Sequence, residues 1–303
     1  MGTLGADAPP CRGNRARCSA SSWRSEPRVR EQGQDGEVAV PLSDLTSMPA
    51  PQHVYAADGT RLATYTWGEL DAPVVVIVHG FASNARDNWV LTGWVRELTR
   101  EGYRVLALDQ RGHGLSEKPH DPDGYRIRTL VTDVETVMDT YLVDDAFYVG
   151  YSLGARVGWE VVRELPHRIG RAVLGGVPDG IPLARLDLDQ VRAYIADGTP
   201  VVDRTTQNYI ALTERVPGND LQALVALAEG MRASGMIDPD PSDAPTRPIL
   251  FATGSKDAII EGSRALAAAA PDGRFFEIPN RNHFNAPGSR DFKEAAVAFL
   301  AES

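Results

Sequence analysis

The sequence predicts an α/β fold with a mostly parallel sheet and helices on both of its faces. Three observations support this prediction. Short, continuously apolar segments bounded by Gly, Pro or Asp recur along the chain, as expected of strands that are buried on both faces. Segments with helical periodicity lie between them, and alternation of this kind is typical of parallel sheets. Residues 180–245 interrupt the alternation with helical segments alone, which indicates an insertion.

The first two strands are predicted to form a hairpin, because alternating segments at 53–55 and 62–67 flank the turn Asp58-Gly59. Later strands are predicted at 74–78, 105–108, 147–149, 172–174, 249–252 and 275–278. Helices are predicted at 89–100, 127–142, 153–165, 264–270 and 292–300.

Composition divides the chain into three parts. Residues 1–47 are rich in Arg, Ser, Gly and Pro without sustained periodicity, which predicts a disordered N-terminal tail. Residues 48–178 and 246–303 are predicted to form the core, and 179–245 a helical cap insertion. A chain that starts at Met48 is therefore expected to fold and to keep its activity.

Charge and cysteine content narrow the function classes. The net charge of −10 and the lack of a basic cluster argue against a nucleic-acid partner, so we expect a small-molecule substrate or a protein partner. No apolar run approaches the roughly 18 residues of a membrane span. The cysteines, Cys11 and Cys18, both lie in the tail, so the core has no disulfide framework or cysteine metal motif. This favours a reducing cytoplasm.

One serine lies where an α/β sheet holds a nucleophile. Gly150-Tyr151-Ser152-Leu153-Gly154 follows the predicted strand at 147–149 and precedes the predicted helix at 153–165. A serine on this sharp bend projects its hydroxyl from the sheet in a strained backbone conformation, and small neighbours relieve the crowding. The helix N-terminus adds a partial positive charge that suits an oxyanion. The alternative is an ordinary turn in which Ser152 caps the helix.

A serine hydroxyl needs a base, and the base needs an acid that orients it. His283 follows the predicted strand at 275–278, in a loop before the last helix. Asp257 follows the predicted strand at 249–252. Both positions belong to the edge where open α/β sheets keep their sites. We therefore predict Ser152 as nucleophile, His283 as base and Asp257 as acid.

Each partner has an alternative interpretation. Read alone, His283 is a surface loop residue and Asp257 caps the helix that follows it. Asp179 is the competing acid, because it follows the predicted strand at 172–174 and a carboxylate there is also able to reach an imidazole.

Two backbone N–H groups are candidates for an oxyanion hole. Leu153 follows the nucleophile, and Phe81 lies in the loop after the first long parallel strand, where Gly80 lets the backbone come close. Two other histidines are predicted to be structural. His79 is expected to bond within the Phe81 loop, and His113 lies between two glycines in a tight loop.

Five motifs resemble those of the α/β-hydrolase superfamily, in its order and with its usual spacings: HGFASN, DQRGHGLS, GYSLGA, GSKD and NRNHF. The resemblance covers about residues 50–303. It implies an eight-stranded, mostly parallel sheet with a cap inserted after the sixth strand, and no cofactor. It also implies a triad of Ser152, Asp257 and His283.

The resemblance limits the possible reaction types but does not identify the substrate. Epoxide hydrolases and haloalkane dehalogenases of the superfamily carry an aspartate at the position of Ser152. Carboxylesterases, thioesterases, lactonases, cofactor-free perhydrolases and carbon–carbon bond hydrolases share the Ser-Asp-His arrangement. We predict a serine hydrolase of the acyl-transfer type. Carbon–carbon cleavage and a non-catalytic, ligand-binding protein on the same fold are the alternatives.

Overall fold

A computed structural model of the chain describes residues 47–178, 181–235 and 238–302. Residues 1–46, with Cys11 and Cys18, lie outside the described residues, as does the competing acid Asp179. The predictions made for them, and the predicted domain boundaries, stay predictions.

Eight strands form one mixed sheet: β1 (Gln52–Tyr55), β2 (Arg61–Trp67), β3 (Val74–Val78), β4 (Arg104–Leu108), β5 (Ala146–Tyr151), β6 (Ile169–Gly175), β7 (Ile249–Gly254) and β8 (Gly273–Ile278). Their order is β1-β2-β4-β3-β5-β6-β7-β8. β1 and β2 form the predicted antiparallel hairpin, and β2 also pairs antiparallel with β4. The other neighbouring strands are parallel, which confirms the predicted fold class.

The helices are α1 (Trp94–Arg100), α2 (Ile127–Thr140), α3 (Leu153–Glu164), α4 (Ile181–Ala184), α5 (Leu188–Asp197), α6 (Arg204–Glu214), α7 (Leu221–Ala233), α8 (Ile260–Ala269) and α9 (Arg290–Leu300). Within the described residues, none of them is long and apolar enough to cross a lipid bilayer.

Helices cover both faces of the sheet. Successive residues of a strand point to opposite faces, so one strand contributes side chains to two buried clusters. Val76 and Val78 of β3 belong to a buried cluster with residues of α2, α3 and α8. Val75 and Ile77 belong to a second cluster with residues of α1 and α9. Since each face of the strand is covered, the strand sequence is continuously apolar rather than alternating.

The predicted helix at 89–100 is wrong in its continuity. The structure has a π-helical turn at Arg86–Val90, followed by α1 from Trp94. Gly93 separates them with a left-handed backbone, φ 83°. The predicted helix at 264–270 also begins later than the observed α8.

Helices α4 to α7 lie between β6 and β7 and are called the helical insertion below. α7 is its most buried member, and its residues Leu224, Val225, Ala228 and Met231 are all buried. Val225, Ala228 and Met231 belong to the same buried cluster as residues of α2 and α3, which joins the insertion to the core.

Candidate active site

Ser152 lies in the turn between β5 and α3 with a backbone conformation that is rare for a residue with a side chain, φ 52° and ψ −114°. Its N–H donates to the Gly175 carbonyl at 2.8 Å. A side chain at Gly154 has no room, because a Cβ there would lie 2.0 Å from the Val78 carbonyl oxygen. The Ser152 hydroxyl does not cap α3, which removes the alternative of an ordinary N-cap.

The structure brings Ser152, His283 and Asp257 together in one line of hydrogen bonds. Ser152 Oγ lies 2.9 Å from His283 Nε2, and His283 Nδ1 lies 2.8 Å from Asp257 Oδ2. A carboxylate only accepts, so we assign the proton to Nδ1, which leaves the Nε2 lone pair to accept from the serine hydroxyl. This is the protonation state that a general base requires.

The loops that carry the acid and the histidine are tied to each other. Lys256 N–H donates to the Arg281 carbonyl at 2.8 Å, and Asn280 N–H donates to Ser255 Oγ at 2.8 Å. Asp257 is buried, whereas His283 is partly exposed. The imidazole therefore lies between a buried carboxylate and a serine that lines an open cavity.

Phe81 and Leu153, whose N–H groups are the predicted oxyanion donors, line the same cavity as Ser152. Among the residues that the structure describes, neither N–H donates to another protein group. Asn88, which the sequence did not single out, holds the loop of Phe81: its Oδ1 accepts the Gly80 N–H at 3.0 Å. No sequence motif marks this contact, because it depends on how the chain turns after β3.

His79 has the loop contacts that the sequence predicts. Its Nδ1 bonds the Gly80 carbonyl at 2.8 Å, and its Nε2 accepts the Gln110 N–H at 3.0 Å. Burial lowers the pKa of His79 to about 4. Burial, followed by the nearby His79, lowers the pKa of His113 to about 3. Both imidazoles are therefore neutral and structural near neutral pH.

A cavity of about 570 Å³ lies between the core and the helical insertion, and Ser152, Asp257 and His283 are part of its lining. The insertion contributes mainly apolar side chains to it: Leu183, Tyr209, Leu212, Val216 and Met231. Leu186 and Leu224 of the insertion are buried and do not line the cavity.

Two arginines line the cavity, Arg156 of α3 and Arg215 after α6. Arg156 is fully buried and forms an ion pair with Glu160 at 3.0 Å. Arg215 is exposed. Arg185 and Arg192 of the insertion do not line the cavity, and Arg192 pairs with Asp189 on the surface at 2.9 Å.

One side chain of the insertion bonds to the loop of Phe81. Asn219 Nδ2 donates to the Ala82 carbonyl at 2.9 Å and to the Thr213 carbonyl at 3.2 Å. Ala82 has a left-handed backbone, φ 55°. Tyr209 packs edge-on against Phe81 with the ring centroids 5.5 Å apart. Sequence reasoning missed this link because its partners lie far apart along the chain.

Comparison with known proteins identifies the fold family of the chain. A family model described as alpha/beta hydrolase fold matches residues 73–200. The chain belongs to the α/β-hydrolase superfamily. The crystal structure of the enol-lactonase from Burkholderia xenovorans LB400 superposes on this α/β hydrolase with a TM-score of 0.64 and 24% sequence identity. The superposition covers 83% of this chain and 100% of that one, and it shows a shared fold.

Two curated relatives have different activities in their names. Epoxide hydrolase B from Mycobacterium tuberculosis is 40% identical over 125 residues, which are 40% of this α/β hydrolase and 33% of the relative. The bifunctional esterase/perhydrolase DCH from Acinetobacter calcoaceticus is 32% identical over 142 residues, 43% of this chain and 50% of the relative. The chain thus spans half or less of the length of these relatives.

Within the described part of this α/β hydrolase, no group of three or more His, Cys, Asp or Glu side chains is placed to hold a metal ion.

Proposed function

We propose that the protein is a serine hydrolase that cleaves an ester-type (acyl) bond of a small, neutral, moderately hydrophobic substrate through an acyl-enzyme intermediate. The observation that carries this proposal is the pair of hydrogen bonds, 2.9 Å and 2.8 Å long, that join Ser152 to His283 and His283 to Asp257.

Each group has a role in the proposed reaction. Ser152 Oγ attacks the carbonyl carbon while His283 Nε2 takes the hydroxyl proton, and Asp257 stabilises the imidazolium that forms. The N–H groups of Phe81 and Leu153 receive the charge on the carbonyl oxygen. When the intermediate collapses, the bond to the leaving alcohol breaks and His283 gives it the proton. Water then attacks the acyl-enzyme in the same way, which releases the acid and restores Ser152.

The residue at the nucleophile position favours acyl transfer over epoxide opening. The epoxide hydrolases of the superfamily carry an aspartate there, as the resemblance implies, whereas this chain carries Ser152. The names esterase/perhydrolase and enol-lactonase of two similar proteins denote acyl chemistry, which is consistent with a serine at this position.

Charge supports the proposed preference for neutral substrates. Residues 178–245 carry eleven acidic residues and five arginines, a net charge of −6 out of −10 for the chain. This potential opposes the approach of an anion from water. The apolar side chains that the insertion gives to the cavity favour moderately hydrophobic groups.

An activity-based probe tests the nucleophile. A fluorophosphonate is expected to label the wild-type protein, and Ser152→Ala is expected to abolish both labelling and ester turnover. Ser83, a second serine in the cavity lining, offers a matched control, since Ser83→Ala should still be labelled. Labelling that survives Ser152→Ala would refute the assignment.

Paired substrates test the specificity. The kcat/KM of a neutral short-chain ester is expected to exceed that of its carboxylate-bearing analogue of equal length. Thioesters and lactones, run beside the esters with a product assay, define the bond that is cleaved. Equal or better use of the charged ester would contradict the proposed preference and point to Arg215 as the group that binds it.

A further inference from the structure

Tyr151 is the last residue of β5, directly before the nucleophile, and it contacts the loop of the candidate base. Its hydroxyl donates to the backbone carbonyl of His283 at 2.5 Å. The two ring centroids lie 5.4 Å apart, with the ring planes at 44°. Tyr151 is only 4% exposed, and burial raises the pKa of its hydroxyl well above the usual range. The hydroxyl therefore keeps its proton and stays a donor.

Gly176, the residue directly after β6, lies close to the rings of Tyr151 and His283. Gly176 has a left-handed backbone, φ 55°. A Cβ at this position would lie 3.2 Å from His283 Cε1 and 3.2 Å from Tyr151 Cζ. Both distances are shorter than ordinary van der Waals contact, so a larger residue would push on the histidine or on the tyrosine.

Besides its bonds to the loop of Asp257, the His283 loop has two further kinds of anchor. Asn282 Oδ1 accepts N–H groups from Phe284 at 3.0 Å and Asn285 at 3.2 Å, and these bonds are internal to the loop. The Tyr151 hydroxyl instead links the loop to β5, the strand that leads into Ser152. It thus connects the backbone of the base to the backbone of the nucleophile.

We propose that Tyr151 is a positioning residue that sets the distance between His283 Nε2 and Ser152 Oγ, an inference that rests on the proposed serine-hydrolase function. Asp257 fixes the tautomer and the direction of the imidazole through Nδ1. Tyr151 fixes the position of the backbone from which the imidazole extends. Proton transfer from Ser152 requires both, because small displacements of reacting groups lower rates strongly.

Tyr151→Phe tests this inference, since it removes the hydroxyl and keeps the ring. We expect kcat for ester hydrolysis to fall about ten-fold, with KM changed less than about two-fold because the ring still lines the cavity. The rate of fluorophosphonate labelling should fall by a similar factor, because labelling also needs the Ser152–His283 pair.

Tyr125→Phe is the matched control. Tyr125 is also buried, its hydroxyl donates to the Pro119 carbonyl at 2.6 Å, and it does not line the cavity. Both variants lose one buried hydrogen bond and should show similar decreases in melting temperature. Only Tyr151→Phe should lose activity, and only Tyr151→Phe should shift the His283 ring signals in an NMR spectrum of the protein with ¹⁵N-labelled histidine.

Two results would overturn the inference: a wild-type kcat and labelling rate in Tyr151→Phe, or equal losses of activity in both tyrosine variants. The first of these leaves the proposed function intact, provided that Ser152→Ala abolishes labelling. A protein that Ser152→Ala leaves labelled and active would instead refute the proposed function itself. If Tyr151→Phe does not fold, unchanged His283 ring signals and labelling in Gly176→Ala, which crowds the same ring, would overturn the inference.

Discussion

At the scale of a single residue, Ser152 combines a strained backbone conformation with a hydrogen bond to His283. Its positive φ is a strained conformation, for which the backbone free energy is about 1–3 kcal/mol less favourable. The bond from its N–H to Gly175 and the close packing of Gly154 against Val78 keep it there. The same conformation directs Oγ toward His283, so the strain and the hydrogen bond to the base have one structural cause.

Replacing Asp257 tests the proposed acid. Asp257→Asn is expected to lower kcat by orders of magnitude, about 10⁴-fold in the comparable change in serine proteases, because the amide favours the wrong histidine tautomer. Steady-state kinetics of Asp257→Asn and Asp179→Asn measure the ranking. Asp179→Asn should change kcat far less, and the opposite ranking would make Asp179 the acid.

The two buried histidines predict a pH dependence of stability. Their folded-state pKa values, about 4 for His79 and about 3 for His113, lie below the usual value of 6.5. The unfolded chain therefore binds protons that the folded protein does not, so stability is lost as the pH falls from about 6.5 toward 4. Near pH 5 each histidine should add about 1.4 kcal/mol per pH unit to the slope of the unfolding free energy.

Urea unfolding at several pH values measures this slope. His113→Asn should reduce the slope of the unfolding free energy by about 1.4 kcal/mol per pH unit, because Asn has no titrating group. An unchanged slope in His113→Asn would show that His113 does not contribute.

Sequence reasoning located the residues of the candidate site because each lies in a recognisable local context. Ser152 is in a strand–turn–helix pattern, and Asp257 and His283 follow strands. The structure adds contacts that have no local signature. The Tyr151 bond to the His283 carbonyl spans 132 residues, and the Asn219 bond to Ala82 spans 137. Pairings of this kind depend on tertiary packing, which a single sequence does not display.

At the scale of elements, the helical insertion does more than enclose the cavity. Asn219 holds the Ala82 carbonyl, and Tyr209 packs on Phe81, whose N–H is a proposed oxyanion donor. Helix α6 and the segment between α6 and α7 therefore support the loop after β3. A movement of these helices would displace the loop of Ala82 and Phe81 through these two contacts.

Asn219→Ala tests this support. We expect kcat to fall about ten-fold with little change in KM, because the transition state depends on the oxyanion donors more than substrate binding does. Kinetics and the affinity for a boronic acid transition-state analogue provide the measurements, and the affinity should fall in parallel with kcat.

Gln207→Ala is the control for this change. Gln207 is an exposed residue of α6 whose amide donates to the Val201 carbonyl, so the bond stays within the insertion. The variant should keep its kcat. If Asn219→Ala also kept the wild-type kcat, the insertion would have no role in the geometry of the oxyanion loop.

The helix boundaries show where periodicity fails as a guide. Trp89 and Trp94 are both buried, with their ring centroids 5.6 Å apart, so the apolar pattern runs across the break at Gly93. Burial against the same face of the sheet preserves the pattern although the helix does not continue. The continuous apolar runs located the strands but not always their ends: the predicted strand at 172–174 is only part of β6, which runs from Ile169 to Gly175.

At the scale of the whole molecule, the predicted start of the folded domain can be tested by deletion. β1 begins at Gln52, and Met48 packs against the buried cluster that contains Trp67. A protein that starts at Met48 is expected to keep the melting temperature and kcat of the full chain. Thermal unfolding and ester turnover of both proteins measure this, and a clear loss of stability would place residues 1–47 within the domain.

The order of the site residues along the chain also matters during synthesis. Ser152, the proposed nucleophile, precedes His283, the proposed base, by 131 residues, and Asp257, the proposed acid, precedes His283 by only 26. A ribosome that has released β5 and α3 has therefore exposed a serine without a base. Any electrophile that reaches the nascent chain meets an ordinary alcohol. On the proposed mechanism, Ser152 becomes reactive only after β7 and β8 have joined the sheet. These last strands position Asp257 and His283, which are synthesised long after the serine.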